Sequence, residues 1–273
     1  MADEELSLDD LFEARDHYSF SQINTFIRCA YQYLFRYILG YKIPPPSALV
    51  FGSTTHEALE YNFKQKIESH QDVELSKVQG AWANQWDLNL KKNVGMEFAE
   101  DETKDSMLDE GIKLITNYHE LVAPTIQPLV VEEPFPDNLI IPGISKPIVG
   151  RIDLIDDKDF IIDHKTSKKS PTQDTINKDG QLTMYSMAYK EKYKELPKGL
   201  RMDYLVRTKK PQYPQYPTTR TEAHIEAFKV TLVQVVRAIE AGIFYPNPHN
   251  YLCSEKSCGF WKFCEGGKIK VNY

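Results

Sequence analysis

The stretch from Gly150 to Ser167, GRIDLIDDKDFIIDHKTS, constrains the fold of this chain more than any other. Apolar β-formers at Ile152, Leu154, Ile161 and Ile162 flank the polar run Asp156, Asp157, Lys158 and Asp159, which predicts two strands joined by a tight turn. Folding this antiparallel hairpin about Lys158 sets Asp153 across from Asp163. Asp163 and Lys165 are two apart in one strand, so their side chains leave the same face, which Asp153 can share. Two carboxylates and an ammonium then converge. A divalent cation between the carboxylates would relieve their repulsion, and oxygen ligands suit magnesium or manganese. Such a cation activates water and neutralises phosphoryl charge, while Lys165 can hold the nucleophilic water or the developing negative charge. The competing reading is a solvated acidic turn with Lys165 pointing to water. The apolar neighbours weigh against it, because ionisable groups seldom sit on core strands without partners.

Helical periodicity dominates the residues before the hairpin. Ser19 or Ser21 can cap a helix through Ile23, Phe26, Ala30, Tyr31, Leu34 and Ile38 that carries Cys29 and ends at Gly40, before the extended run Pro44, Pro45, Pro46. A second helix is expected after Gly52 and Ser53, with Thr54 and Glu57 spaced as a capping box and with His56 on it. Two further helices centre on Trp82 and Trp86 and on Ile112 and Ile115. Strand-like patterns begin near Leu129 and include the Leu139–Ile141 run. After the hairpin the chain predicts a helix over Gly180–Lys192, a strand over Arg201–Arg207, an irregular loop at KKPQYPQYP (209–217), and a helix over Ile225–Glu240. The expected organisation is an acidic N-terminal arm at 1–17 without assigned chemistry, N-terminal helices at 18–70, a helical insert at 71–127, an α/β core at 128–245, and a cysteine-rich tail at 246–273.

Gln181 and Tyr185 lie one helical turn apart and share a face, either reaching a phosphate or base or serving as a cap and a core tyrosine. His56 alone is equally compatible with an ordinary helix histidine. Four cysteines, Cys29, Cys253, Cys258 and Cys264, follow a C-x4-C-x5-C pattern plus one distant residue. The net charge is 33 − 39 = −6, with 41% hydrophobic residues. No apolar run is long enough to span a membrane, and no basic-then-apolar leader opens the chain, so the expected location is cytoplasmic. In that reducing compartment the cysteines point to metal ligands, redox groups or buried thiols. Four thiolates can hold a tetrahedral zinc or a four-iron cluster, and spacing alone does not separate the two.

Taken together, YSFSQINTFIRCAYQYLFRYI, FGSTTHEALE, GRIDLI, IIDHKTS, QLTMY and the final cysteines resemble the PD-(D/E)XK nuclease superfamily over Ser19 to Cys264. Within it they resemble the RecB-like and AddB-like exonucleases and the CRISPR-associated exonucleases. The resemblance implies a restriction-endonuclease-like α/β core with a mixed central sheet and flanking helices. It assigns His56, Asp153, Asp163 and the backbone carbonyl of His164 as ligands for manganese or magnesium, Asp163 and Lys165 as the (D/E)xK pair, and Gln181 and Tyr185 as the DNA-engaging QxxxY motif. It also implies a [4Fe-4S] cluster on the four cysteines, stapling the N-terminal helix to the C-terminal tail. The acid before Lys165 is Asp where many members have Glu, a shorter reach that could shift the metal.

The implied activity is exonucleolytic degradation of single-stranded DNA, 5′→3′, in recombination, repair, phage DNA metabolism or CRISPR adaptation. The rivals are a non-catalytic DNA-end-binding scaffold and an endonuclease or trimming factor active only in a larger complex. No GxxxxGK[ST] motif is present, so translocation would need a helicase partner. Despite the acidic balance, Arg151, Lys165, Lys168, Lys169, Lys178, Arg207, Lys209, Lys210 and Arg220 could form a local basic track. Tyr213 and Tyr216 in the proline-rich loop are candidates for stacking on unpaired bases, or equally for packing against the loop itself.

Overall fold

The computed structural model describes residues 16–137 and 139–264, so the acidic arm lies outside it except for its last two residues. In chain order the elements are β1 (Tyr18–Ser19), α1 (Phe20–Arg28), α2 (Ala30–Tyr33), a π-turn (Leu34–Ile38), α3 (Ser47–Ser69), α4 (Leu75–Lys92), α5 (Lys104–Leu121), β2 (Pro128–Pro134), β3 (Ile148–Val149), β4 (Arg151–Asp156), β5 (Phe160–Ser167), α6 (Gln173–Asn177), α7 (Gly180–Tyr193), β6 (Gly199–Val206), β7 (Gln215–Thr218) and α8 (Glu222–Glu240). They fall into two compact units. One comprises Pro44–Pro134 and Arg151–Thr221; the other comprises the described parts of Met1–Ile43, Phe135–Gly150 and Glu222–Tyr273.

The first unit is built on a five-stranded mixed sheet in the order β2-β4-β5-β6-β7. Leu154 stands opposite Ile162 and Ile155 opposite Ile161, the antiparallel register the hairpin predicts. Its turn is closed by Asp156, whose Oδ1 accepts from the Lys158 and Phe160 amides at 2.9 and 2.8 Å. Strands β5 and β6 run parallel, so the chain must cross over between them, and α6 and α7 make that crossing. Leu154, Ile162 and Leu205 on one face of the sheet join a core with Phe51, Trp82, Trp86 and Tyr118 of α3–α5. The insert helices therefore serve as one wall of the sheet's own core.

That wall is tightly packed at Gly111 of α5, where a Cβ would lie 2.0 Å from the Trp82 ring. Gly111→Ala is expected to cost about 1–3 kcal/mol of stability through overpacking, outweighing the roughly 1 kcal/mol that alanine contributes to helix propensity. Urea unfolding would read this as a lower midpoint, and an unchanged midpoint would contradict the packing argument.

Several sequence expectations need correction in detail. Helix α3 starts at Ser47, directly after the prolines, so Thr54 and Glu57 are interior and not a capping box. The Thr54 hydroxyl donates to the Val50 carbonyl, and Glu57 accepts from Asn89. The 209–217 segment is not wholly irregular, because Gln215–Thr218 pairs with β6 as an edge strand, where Pro217 leaves its missing N–H out of the ladder. The Leu139–Ile141 run buries Leu139 and Ile141 but leaves Ile140 exposed and forms no strand, being followed by Pro142 and by Gly143 at φ +92°.

In the second unit β1 and β3 pair in parallel. The expected continuous helix through Ile38 breaks at Cys29, which is extended at φ −166° and ψ 111°. The Arg28 carbonyl accepts instead from the side-chain amides of Asn247 and Asn250 at 3.0 and 3.2 Å. Phe26, Tyr33 and Phe244 pack their rings beside this break. Among the described residues no helix is long and apolar enough to cross a membrane.

Candidate active site

Strands β4 and β5 carry Asp153 and Asp163 side by side, and α7 lays Gln181 and Tyr185 over them. Helix α7 is aimed by Asp179, whose carboxylate caps it by accepting from the Leu182 amide at 2.9 Å. The Lys165 ammonium lies 3.0 and 2.9 Å from the two Asp163 oxygens and donates to Gln181 Oε1 at 2.9 Å. Gln181 Nε2 donates to the Tyr185 hydroxyl at 2.8 Å. That hydroxyl in turn lies 3.2 Å from Asp163 Oδ1 and 3.4 Å from Asp153 Oδ1. Asp153 Oδ2 accepts from the His164 amide at 3.2 Å and faces His56 Nδ1 of α3 at 3.3 Å. The structure thus brings together His56, Asp153, Asp163, Lys165, Gln181 and Tyr185 from four separate elements.

The electrostatics follow from burial. Asp163 is fully buried, and this pushes its carboxyl pKa up, against the lowering pull of Lys165. Burial pulls Lys165 down, but Asp163 and then Asp153 outweigh it, so its pKa is raised and the group stays an ammonium. Burial likewise holds the Tyr185 phenol well above its usual range, reinforced by the two carboxylates.

Asp163 Oδ2 is buried and has no hydrogen-bond partner, although the Lys165 ammonium stands beside it. Apart from that ion pair at 2.9 Å nothing donates to it, so Oδ2 has lone-pair capacity for a further positive partner. With the Asp153 carboxylate and the His56 imidazole nearby, the donors suit a hard divalent cation. Among the described residues, however, no three His, Cys, Asp or Glu side chains are already drawn together as a metal-holding group.

Two groups near the site were not singled out from sequence. Glu132 of β2 is half-buried at φ +57°, and its pKa is raised by burial and then by Asp153 and Glu60. Tyr118 reaches the site's far side from α5. No local pattern identifies either, whereas Asp179 ahead of an apolar helical run is a legible N-cap signal.

The proposed DNA-contacting residues divide. Lys169, Lys209 and Lys210 are exposed. Exposed Arg151 donates to the Glu132 carbonyl, and Lys168 pairs with Asp101 and Glu102 at 3.3 and 3.1 Å. Tyr213 and Tyr216 are half-buried, with their hydroxyls donating to the Leu114 and Pro171 carbonyls. Arg207 and Arg220 leave the basic track: Arg207 is buried on Glu102 and Glu110, and Arg220 is buried on Thr183 and backbone carbonyls.

In the other unit Cys29, Cys253, Cys258 and Cys264 line one small pocket with Gln32, Phe35 and Phe260. Gln32 Nε2 lies 3.4 Å from Cys258 Sγ. Burial, and then the three other cysteines, raise the Cys253 thiol pKa. Four soft sulfur donors around one apolar pocket suit a thiolate-bound metal.

The family model of the PD-(D/E)XK nuclease superfamily matches residues 17–265. A crystal structure described as a "Putative exonuclease" from Eubacterium rectale is similar, with a TM-score of 0.58 at 10% identity, covering 96% of this chain and 93% of that one. At that identity the likeness speaks for the fold alone. No curated protein matches the chain.

Proposed function

Because the chain belongs to the PD-(D/E)XK nuclease superfamily, we propose that it is a metal-dependent deoxyribonuclease that degrades single-stranded DNA from its ends, in the 5′→3′ direction. The observation that carries this reading is the continuous polar chain from Lys165 through Gln181 and Tyr185 to Asp163 and Asp153, ending on His56. Manganese or magnesium, held by Asp153, Asp163, His56 and the His164 carbonyl, would supply an activated water and neutralise phosphoryl charge.

The protein's own groups do the rest. Lys165, held between Asp163 and Gln181, is placed to donate to the nucleophilic water or to the negative charge developing on the phosphoryl group. Gln181 fixes the Lys165 ammonium, and Tyr185 orients both carboxylates. Exposed Lys169, Lys209 and Lys210 offer phosphate contacts with no base preference. The four cysteines are assigned to a [4Fe-4S] cluster, with zinc as the alternative.

Single-stranded DNA labelled at either the 5′ or the 3′ end, incubated with the protein and Mn2+, tests the reading. Early release of short 5′-labelled products is expected, with duplex DNA degraded more slowly. Internal cutting of circular single strands would favour an endonuclease. Binding of ends without hydrolysis would favour a scaffold.

A further inference from the structure

Tyr118 and the His164 side chain take no part in the hydrolysis derived above, yet both are buried directly behind it. Side chains alternate along β5, so Asp163 and Lys165 face α7 while His164 points the other way, into the core under α3 and α5. There Tyr118 Oη and His164 Nε2 lie 2.9 Å apart. The Phe63 ring stacks on the imidazole at 5.7 Å, and the His56 ring meets it edge-on at 6.4 Å. The parallel register sets Asp203 of β6 beside His164, and Asp203 is held by Arg201 at 2.7 and 2.9 Å.

A core needs none of these polar groups. Leucine and phenylalanine would fill the same space without the desolvation cost that a phenol and an imidazole carry. The His164 main chain is where the cost is offset by a use: its amide donates to Asp153 Oδ2, and its residue links Asp163 to Lys165. A side chain anchored at its tip limits how far its own backbone can rotate or slide. From this geometry we infer that Tyr118 is a positioning residue, which anchors the His164 imidazole and thereby fixes the 163–165 backbone and the spacing of the groups that hold the cation. The inference rests on the metal-dependent nuclease reading, and it assigns to that site a support from the opposite face of the sheet.

The test is Tyr118→Phe, which keeps the ring and removes one oxygen. Mn2+ affinity, measured directly by calorimetry, is expected to weaken about tenfold, the scale on which partners of ligating residues act. Saturating Mn2+ should restore kcat, and KM for DNA should stay unchanged. His164→Leu should weaken Mn2+ binding to the same degree, and the double variant should be no worse than either single one, because both remove one interaction. His164→Gln, which keeps an acceptor, should recover part of the affinity. A substitution in the same core that touches neither the Tyr118–His164 pair nor the site, Trp86→Phe, controls for general loosening and should leave Mn2+ affinity as it is. If Tyr118→Phe lowers the melting temperature but not Mn2+ affinity, Tyr118 is only a core residue and the inference falls. If the unmodified protein shows no Mn2+ binding that Asp163→Asn removes, the nuclease reading itself fails, and that result is distinct from the first.

Discussion

Lys165→Ala is expected to lower kcat by about 10²–10³-fold, the usual cost of removing one preorganised charge-stabilising donor, while leaving DNA affinity nearly unchanged. Lys165 sits at the junction of two hydrogen-bonded branches, one to Asp163 and one to Gln181. Its loss therefore has a second effect. In the metal-free variant the fully buried Asp163 carboxylate loses its ammonium partner, and an unpaired buried charge is strongly destabilising. The melting temperature in chelator should fall relative to the parent protein, and Mn2+ should recover most of the difference. A variant that melts like the parent in chelator would mean that the pair contributes nothing to the fold. One that cleaves DNA at the parent rate would remove Lys165 from the chemistry.

Cys29→Ser has the other large expected effect. Cys29 belongs to the segment between α1 and α2, and the other three cysteines come from the tail. A shared metal would tie these two parts of one unit together, and such binding energy acts directly as folding energy. Anaerobically purified protein is expected to contain iron and acid-labile sulfide in equal amounts. The variant should lose both and become sensitive to limited proteolysis within residues 246–264. Zinc in place of iron would revise the metal while keeping the staple; neither metal in the parent protein would end the proposal.

The hairpin was legible because its information is local. An acidic turn between two apolar strands fixes the register, and the register fixes which side chains share a face. The terminal cysteines were legible as a pattern, but the break that frees Cys29 from a helix was not. Apolar spacing runs unbroken from Ile23 to Ile38, while the Arg28 carbonyl freed at the break is bonded by Asn247 and Asn250 from far along the chain. The edge strand containing Pro217 was missed for a similar reason, since proline excludes an interior strand but not an edge one. Arg207 looked like a surface cation until Glu102 and Glu110, supplied by the helical insert, enclosed it. Tyr118 could be read as a core residue; its bond to His164 could not, because nothing in the sequence of α5 points to β5.

The chain passes from one compact unit to the other at Ile43, Pro134, Gly150 and Thr221. This interleaving sets an order of assembly on the ribosome, where chains grow from the N-terminus. The hydrolytic unit is complete as soon as Thr221 has emerged, while the cysteine-bearing unit holds its first segment in waiting until the last one is made. Cys29 is translated before any of the hydrolytic unit, and its three counterparts follow the whole of it. Any metal shared by the four cysteines could be loaded only after the hydrolytic unit has been made, and a ribosome stalled after Thr221 would leave that unit formed with Cys29 still lacking its three counterparts.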